Sequence, residues 1–469
     1  MVFSSLVFLY LFLPLNLILY FVCRRTSARN LVLLLFSLLF YAWGEPLYVF
    51  LLLFSASSDY LHGRLIERWH GTGKAKAVLC SSLVINLGLL GFFKYAGFLV
   101  GSLNALLPVA LPVPSVRLPL GISFYTFQTL SYIVDVYRGR VRAQRSYRDY
   151  LLYLSLYPQL VAGPIVRYAD VNAELHDRPS SAEEVAYGAL RFCTGLGKKV
   201  ILANTAASLC TPILDGNLAA LSVAEAWYGV VLFALQIYFD FSGYSDMAIG
   251  LGRIFGFHYY ENFHYPYLSR SVSEFWRRWH ISLGSFFRDY VYIPLGGNRH
   301  HLWRNLAITW LLTGLWHGAS WNFVLWGALF GILIILERIG LGKILQRIPR
   351  IFSHLYLLLA VLAGWVLFYY TDLGRAGQML GILVGRGAAS LSDALFTASF
   401  MNNIFFFAAA LIACLPLAPK LRDALITKGR FYNPALLAFL QILVCMVLLV
   451  VCTAMLVGES YNPFLYFRF

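Results

Sequence analysis

Apolar residues fall in long blocks separated by short basic stretches. Val2–Val22 is the first block, long enough at 1.5 Å per residue to cross about 30 Å of hydrocarbon. It has no basic residue ahead of it and no small-residue cleavage site, so a membrane helix is expected and not a leader peptide. Arg24, Arg25 and Arg29 follow it. Leu31–Trp43 and Leu47–Leu61 then predict a helical hairpin about the turn at Gly44, Glu45 and Pro46, ending at Arg64, Arg68, Lys74 and Lys76. Val78–Phe93 leads out, Pro108, Pro112 and Pro114 turn the chain, and Leu118–Val136 returns to Arg138, Arg140, Arg142, Arg145 and Arg148. Basic residues in alternate short loops assign those loops to the cytoplasm and the N-terminus to the periplasm.

Beyond about residue 150 the alternation loses its regularity. Tyr153–Val166 is short and holds Pro158, Gly163 and Pro164, and Gly195 to Lys199 interrupts another block. Residues 257–304 are aromatic and basic, a composition tolerated at membrane depth only inside protein or beside a water-filled cavity. Clear blocks return at Leu306–Ile335, Leu355–Tyr370, Ile404–Leu415 and Leu436–Val457. Lys420, Arg422, Lys428 and Arg430 suggest an inside loop followed by an external tail. The pattern predicts an all-α polytopic membrane protein of roughly ten to twelve crossings with re-entrant or interfacial helices. No repeat or soluble appendage interrupts it, so residues 1–469 are expected to form one integral-membrane domain.

Composition agrees. Hydrophobic residues make up 59% and charged residues 13%, about half the usual charged share of roughly 25%, which excludes soluble, fibrous and disordered classes. The 37 Lys+Arg against 22 Asp+Glu give a net charge of +15. That excess belongs to cytoplasmic loops and a lipid partner, since no basic tract adjoins a domain that would hold nucleic acid. The seven cysteines are odd in number and form no CxxC, so they suggest neither a disulfide framework nor a zinc ribbon.

Ionisable residues inside apolar blocks are costly and point to function. In Ser271–Arg299, Glu274 and Arg278 stand one turn apart, Arg277 and His280 share a helical face, and Trp276 lies four residues before His280. An interfacial amphipathic helix is the plain structural reading of that segment. In Leu312–Gly327, His317 is the one ionisable residue, with Thr313, Ser320 and Trp321 expected on the same side of a continuous helix. A buried neutral imidazole there is able to accept a proton near neutral pH, although a lone histidine on an apolar helix also serves as a packing residue. Gln236–Gly250 carries Asp240, Ser242, Ser245 and Asp246, which predict a broken helix. Its GYSDM lacks the second glycine of a nucleophile elbow, and HxxExxH at His258, Glu261 and His264 does not match zinc spacing, so no metal is expected.

These stretches together resemble the membrane-bound O-acyltransferase family, in its bacterial branch of polysaccharide O-acetyltransferases similar to alginate O-acetylases. The resemblance runs through residues 121–139, 157–167, 236–252, 261–299, 314–327 and the terminal NPFLYFRF at 462–469. It implies a ring of tilted helices around a thinned centre, with funnels from both faces meeting near a histidine. His317 matches the family's signature catalytic histidine and His280 its second histidine. The resemblance also implies an acyl thioester donor on the cytoplasmic side, acetyl-CoA foremost, with no bound cofactor. The acceptor is then a hydroxyl on the periplasmic side, in exopolysaccharide O-acetylation at the bacterial inner membrane with a periplasmic acetyltransferase partner. A thioester needs little activation, whereas an alcohol must lose its proton as it attacks, so His317 is expected as general base. His280, with Arg277, is expected to orient the acceptor or stabilise the oxyanion, and an acyl-histidine intermediate stays open. Trp276, Asp240, Asp246, Ser320 and Trp321 are expected in support. Transfer of D-alanyl groups or acylation of peptidoglycan is the alternative within the family. A proton relay through His317 and Asp240 in a transporter is the alternative outside it.

Overall fold

The computed structural model describes residues 1–107, 110–161, 163–178, 181–420, 433–458 and 464–465. Pro108, the basic cluster Arg422, Lys428 and Arg430, and most of the terminal 462–469 motif lie outside the described residues. Among the described residues the regular structure is helical and contains no strand. Among the described residues five helices are long and apolar enough to cross a membrane: Thr26–Gly44, Gly73–Asn104, Trp321–Arg347, Arg350–Tyr369 and Ala435–Val457. Ala394–Asn402 and Ile404–Ala413, bent by 62°, make a sixth if counted as one span. The protein is an all-α polytopic membrane protein.

Other apolar blocks fold as shorter or interrupted helices. The first block opens with a π-helical turn, Phe8–Phe12, before Leu13–Val22. Leu306–Ile335, expected as one span, is two helices, Leu302–His317 and Trp321–Leu336. Hydropathy measures how long the chain stays apolar and does not mark where the backbone turns. One apolar helix shows the opposite extreme. Ala435–Val457 has mean hydropathy 3.0 with only 6% of its window buried, as expected of a helix whose sides face lipid.

Contacts divide the chain into two compact units, one of residues Met1–Phe192, Tyr244–Glu261 and Glu459–Arg468, the other of Cys193–Gly243 and Asn262–Gly458. In the first unit, Thr26–Gly44 and Tyr48–Arg68 form the hairpin that the sequence predicts. Asp59 is fully buried there, and its carboxylate accepts from Ser82 Oγ at 2.6 Å and from Asn86 Nδ2 at 2.9 Å. Ser82 and Asn86 are four apart on Gly73–Leu90, so one face of that helix supplies both donors. Gly63 lets Tyr48–Arg68 approach Ile122–Tyr137, because a β-carbon there would meet the Tyr132 hydroxyl at 2.6 Å.

The helix Val223–Ile254 runs unbroken for 32 residues through the segment where the sequence predicts a break. Each of its inner carboxylates has a cationic partner. Asp240 pairs with Lys199 at 2.5 Å in the second unit, and Asp246 pairs with Arg191 at 2.6 Å in the first. Neutralised in this way, the two acids need no exposed backbone to satisfy them and the helix continues. Gly243 closes the approach around Lys199, since a β-carbon there would lie 2.7 Å from the Gly195 carbonyl.

Candidate functional site

Both candidate histidines belong to the second unit. His280 sits at a break between two short helices, Val272–Arg278 and Ile281–Phe287. Ser271 caps the first, its hydroxyl accepting from Glu274 N at 3.1 Å, and Glu274 pairs with Arg278 at 2.7 Å. Glu337 completes that helix start from another part of the chain. Its carboxylate accepts from Val272 N at 2.6 Å and from Ser273 N at 2.9 Å, meeting the positive end of the helix. The helix ends at Arg278, Trp279 is extended, and His280 takes left-handed angles of φ 48° and ψ 54°. A non-glycine residue held there is strained, a feature concentrated at functional positions. The break also corrects the expected geometry: Arg277 and His280 do not share a helical face, and Trp276 does not lie one turn beneath the imidazole.

Asn262 holds the strained histidine. Its carbonyl accepts from Ile281 N at 2.9 Å, and its Oδ1 faces His280 Nδ1 at 3.1 Å. The same Oδ1 accepts from Ser282 N at 3.1 Å and from Ser282 Oγ at 2.9 Å. The His280 ring stands edge-on to Phe241, centroids 4.6 Å apart, and 5.9 Å from the Trp316 indole. Its Nε2 is buried and has no hydrogen-bond partner among the described residues. Burial brings the imidazole's pKa down to about 3, because the charged form loses its hydration.

His317 is the last residue of Leu302–His317, not the middle of a continuous span. Gly318 is extended and Ser320 precedes the next helix, so Ser320 and Trp321 lie beyond the turn, and Trp321 is 55% exposed. The expected shared face of Thr313, Ser320 and Trp321 is therefore not formed. Instead the buried His317 ring meets Trp316 at 5.0 Å, Trp326 at 4.9 Å and Phe368 at 5.2 Å. Trp276 reaches this group from the other side, 5.3 Å from the Trp326 ring. Glycines permit the tight hairpin. A β-carbon at Gly314 would overlap the Phe323 carbonyl, and one at Gly327 the Trp310 carbonyl.

A cavity of about 360 Å³ opens beside His280, with Trp276, Arg277, Arg288, Thr313 and Arg338 also in its wall. Thr313 stands one turn before His317, its hydroxyl donated to Thr309 O at 2.8 Å. A second cavity of about 370 Å³, lined by Arg270, Glu274 and Gln346 among others, shares Ser273, Arg277 and Arg338 with the first. The first is lined by aromatic rings and three arginines, the second by three arginines and two glutamates. Asp240 and Asp246 are taken up by their ion pairs, and the Glu174 carboxylate accepts from His258 Nδ1, 2.7 Å away, in the first unit. Asn262, Glu337, Trp326 and Phe368 are the residues that spacing did not single out. Only Glu337 left a signal, as the single acid at the end of the apolar block 306–335.

Residues 138–371 match the model of the membrane-bound O-acyltransferase family. The chain is 44% identical over 406 residues to the Azotobacter vinelandii protein named "Probable alginate O-acetylase AlgI", covering 84% of this chain and 80% of that one. It is 38% identical to the protein of the same name from Pseudomonas putida, over the full length of both. The chain belongs to the membrane-bound O-acyltransferase family. It is also 33% identical to the peptidoglycan O-acetyltransferase of Helicobacter pylori, over 86% of this chain and 84% of that one. Membership makes the chain an acyltransferase.

Proposed function

We propose that this O-acyltransferase carries acetyl groups from a cytoplasmic thioester, acetyl-CoA by preference, to a hydroxyl on the periplasmic side of the inner membrane. The acceptor is an exopolysaccharide of the alginate or cellulose type, reached with a periplasmic acetyltransferase partner. His317 acts as the general base. The acceptor oxygen attacks the thioester carbonyl carbon, His317 takes the hydroxyl proton, the carbon–sulfur bond breaks, and the leaving thiolate recovers the proton as a thiol. His280 accepts a hydrogen bond from a neighbouring hydroxyl of the acceptor and so orients the one that attacks. That differs from the oxyanion role, because a neutral ring with its proton on Nδ1 has no Nε2–H to donate to an oxyanion. Arg270, Arg277 and Arg338 suit the phosphates of the donor.

The observation that carries this reading is the Trp316 indole, 5.9 Å from the His280 ring and 5.0 Å from the His317 ring, with His280 also lining a cavity that shares Arg277 and Arg338 with a second one. The alginate O-acetylase relatives support the acetyl group and the polysaccharide acceptor. The test is acetyl transfer by purified enzyme in nanodiscs. His317→Ala is expected to fall to background while inserting at wild-type levels. Wild-type transfer by that variant would remove His317 from the chemistry.

A further inference from the structure

At the far end of Tyr48–Arg68 in the first unit lies a cavity of about 440 Å³ lined by Arg64, Leu65, Glu67, Arg68 and Arg145. The catalytic reading makes no use of it. Three guanidiniums face one carboxylate, and that carboxylate is engaged: Glu67 pairs with Arg145 at 3.0 Å and accepts from Ala143 N at 3.2 Å. Two positive charges are left over. One of them is set deep, for Arg64 Nη1 is buried and has no hydrogen-bond partner among the described residues. A guanidinium partly taken out of water is costly, and an anion in the cavity that the same residue lines offsets its charge.

The loop that completes the cavity is held in place before any ligand arrives. Gln144 Oε1 accepts from Arg145 N at 2.7 Å and from Ser146 N at 3.0 Å, while Gln144 N donates to Tyr132 OH at 3.1 Å. Tyr60 OH donates to the Arg145 carbonyl at 2.7 Å. Four hydrogen bonds thus fix the backbone around Arg145 beside the end of Tyr48–Arg68. Planar forks presented in a fixed array suit phosphate oxygens, which accept two parallel N–H bonds from one guanidinium.

We propose that Arg64, Arg68 and Arg145 form a binding site for a phosphate ester, distinct from the cavity beside His280. The phosphate comes either from an anionic lipid headgroup, which basic pockets at helix ends recognise, or from a soluble phosphate compound. The test uses wild-type enzyme and Arg64→Gln/Arg68→Gln, delipidated in nonionic detergent, with Arg347→Gln/Arg386→Gln as a control that removes two exposed charges elsewhere. Phosphatidylglycerol retention is read by native mass spectrometry, and inorganic pyrophosphate binding by calorimetry. The site variant is expected to bind one of these probes about fivefold more weakly for each guanidinium removed, with the control unchanged. A loss confined to phosphatidylglycerol identifies the headgroup as the source, and a loss confined to pyrophosphate identifies a soluble phosphate. Equal binding of both probes by wild type and site variant, or an equal loss in the control, overturns the proposal. Should Arg64→Gln fail to insert, Arg68→Gln at its exposed position carries the same comparison by itself.

Discussion

His280 Nδ1 lies 3.1 Å from Asn262 Oδ1, and a third group fixes the direction of that bond. The Ser282 backbone N–H also points at Oδ1, 3.1 Å away, so the amide presents its oxygen there and not its nitrogen. An oxygen that only accepts requires the proton to sit on Nδ1. The Nε2 lone pair is therefore bare, on a buried residue that borders the cavity. One asparagine carbonyl decides which nitrogen of His280 is available.

Substitutions at Asn262 test that assignment. Asn262→Leu leaves His280 Nδ1 and both Ser282 donors without this acceptor, which is expected to cost about 1–3 kcal/mol in stability. Transfer is expected to fall about 10–100-fold in kcat, by loss of the fixed tautomer and orientation. Asn262→Asp retains an acceptor at the same place and is expected to restore most of the rate. Thermal melting and kcat measured on both variants check it. A purely structural role would move the melting temperature of Asn262→Leu and leave kcat per folded enzyme unchanged.

The pH profile separates the two histidines. With a pKa near 3, His280 stays neutral between pH 5 and pH 8 and contributes no titration in that window. If His317 is the base, as proposed, kcat is expected to fall on acidification, because a protonated imidazole has no lone pair with which to take the hydroxyl proton. His280→Asn is expected to lower transfer about 10–10³-fold and keep the acid limb. His317→Asn is expected to show only background, since an amide does not take the hydroxyl proton. An acid limb that vanishes in His280→Asn while His317→Asn remains active would reverse the two roles.

Gly327 carries a packing prediction. A methyl there overlaps the Trp310 carbonyl, so Gly327→Ala forces Leu302–His317 and Trp321–Leu336 apart. A loss of about 1–3 kcal/mol is expected from overpacking at a rigid contact, with transfer reduced beyond the loss of folded enzyme because Trp326 moves against His317. Gly340→Ala, where a β-carbon meets nothing within 4 Å, is the neutral control. Melting and activity assays on the two variants decide it.

Sidedness is checked by labelling. Arg142→Cys in a cysteine-free background is expected to resist an impermeant maleimide in intact cells and to react in inverted vesicles, as a cytoplasmic loop requires. A cysteine ahead of Val2 is expected to behave oppositely. Ready labelling of Arg142→Cys from outside would invert the orientation.

How much of this was legible in the chain differs from residue to residue. The hairpin Thr26–Gly44 and Tyr48–Arg68 follows from two apolar blocks about a Gly-Glu-Pro turn, a local signal. His317 and His280 stood out because ionisable groups are rare in apolar surroundings, and Arg277 came with its segment. The backbone at those same residues was not legible. His280 is left-handed and His317 ends a helix, and both breaks depend on distant partners, Asn262 and Glu337 for the first, the Gly314 and Gly327 approach for the second. Periodicity assumes that a helix continues, so it placed Ser320 and Trp321 beside His317 and missed Trp326 and Phe368. The same assumption failed in reverse at Asp240 and Asp246, where the expected break is absent because each acid has its cation.

Those two ion pairs bear on how the protein is made. Lys199 and Arg191 both precede Val223–Ile254 in the chain. Synthesis from the N-terminus therefore delivers the cations before the helix that carries Asp240 and Asp246 leaves the ribosome. When that helix is handed to the bilayer, its counter-ions have already been placed, and neither carboxylate has to wait in hydrocarbon for a partner still to be translated. The order of residues along the chain does for insertion what the finished pairing does for the fold.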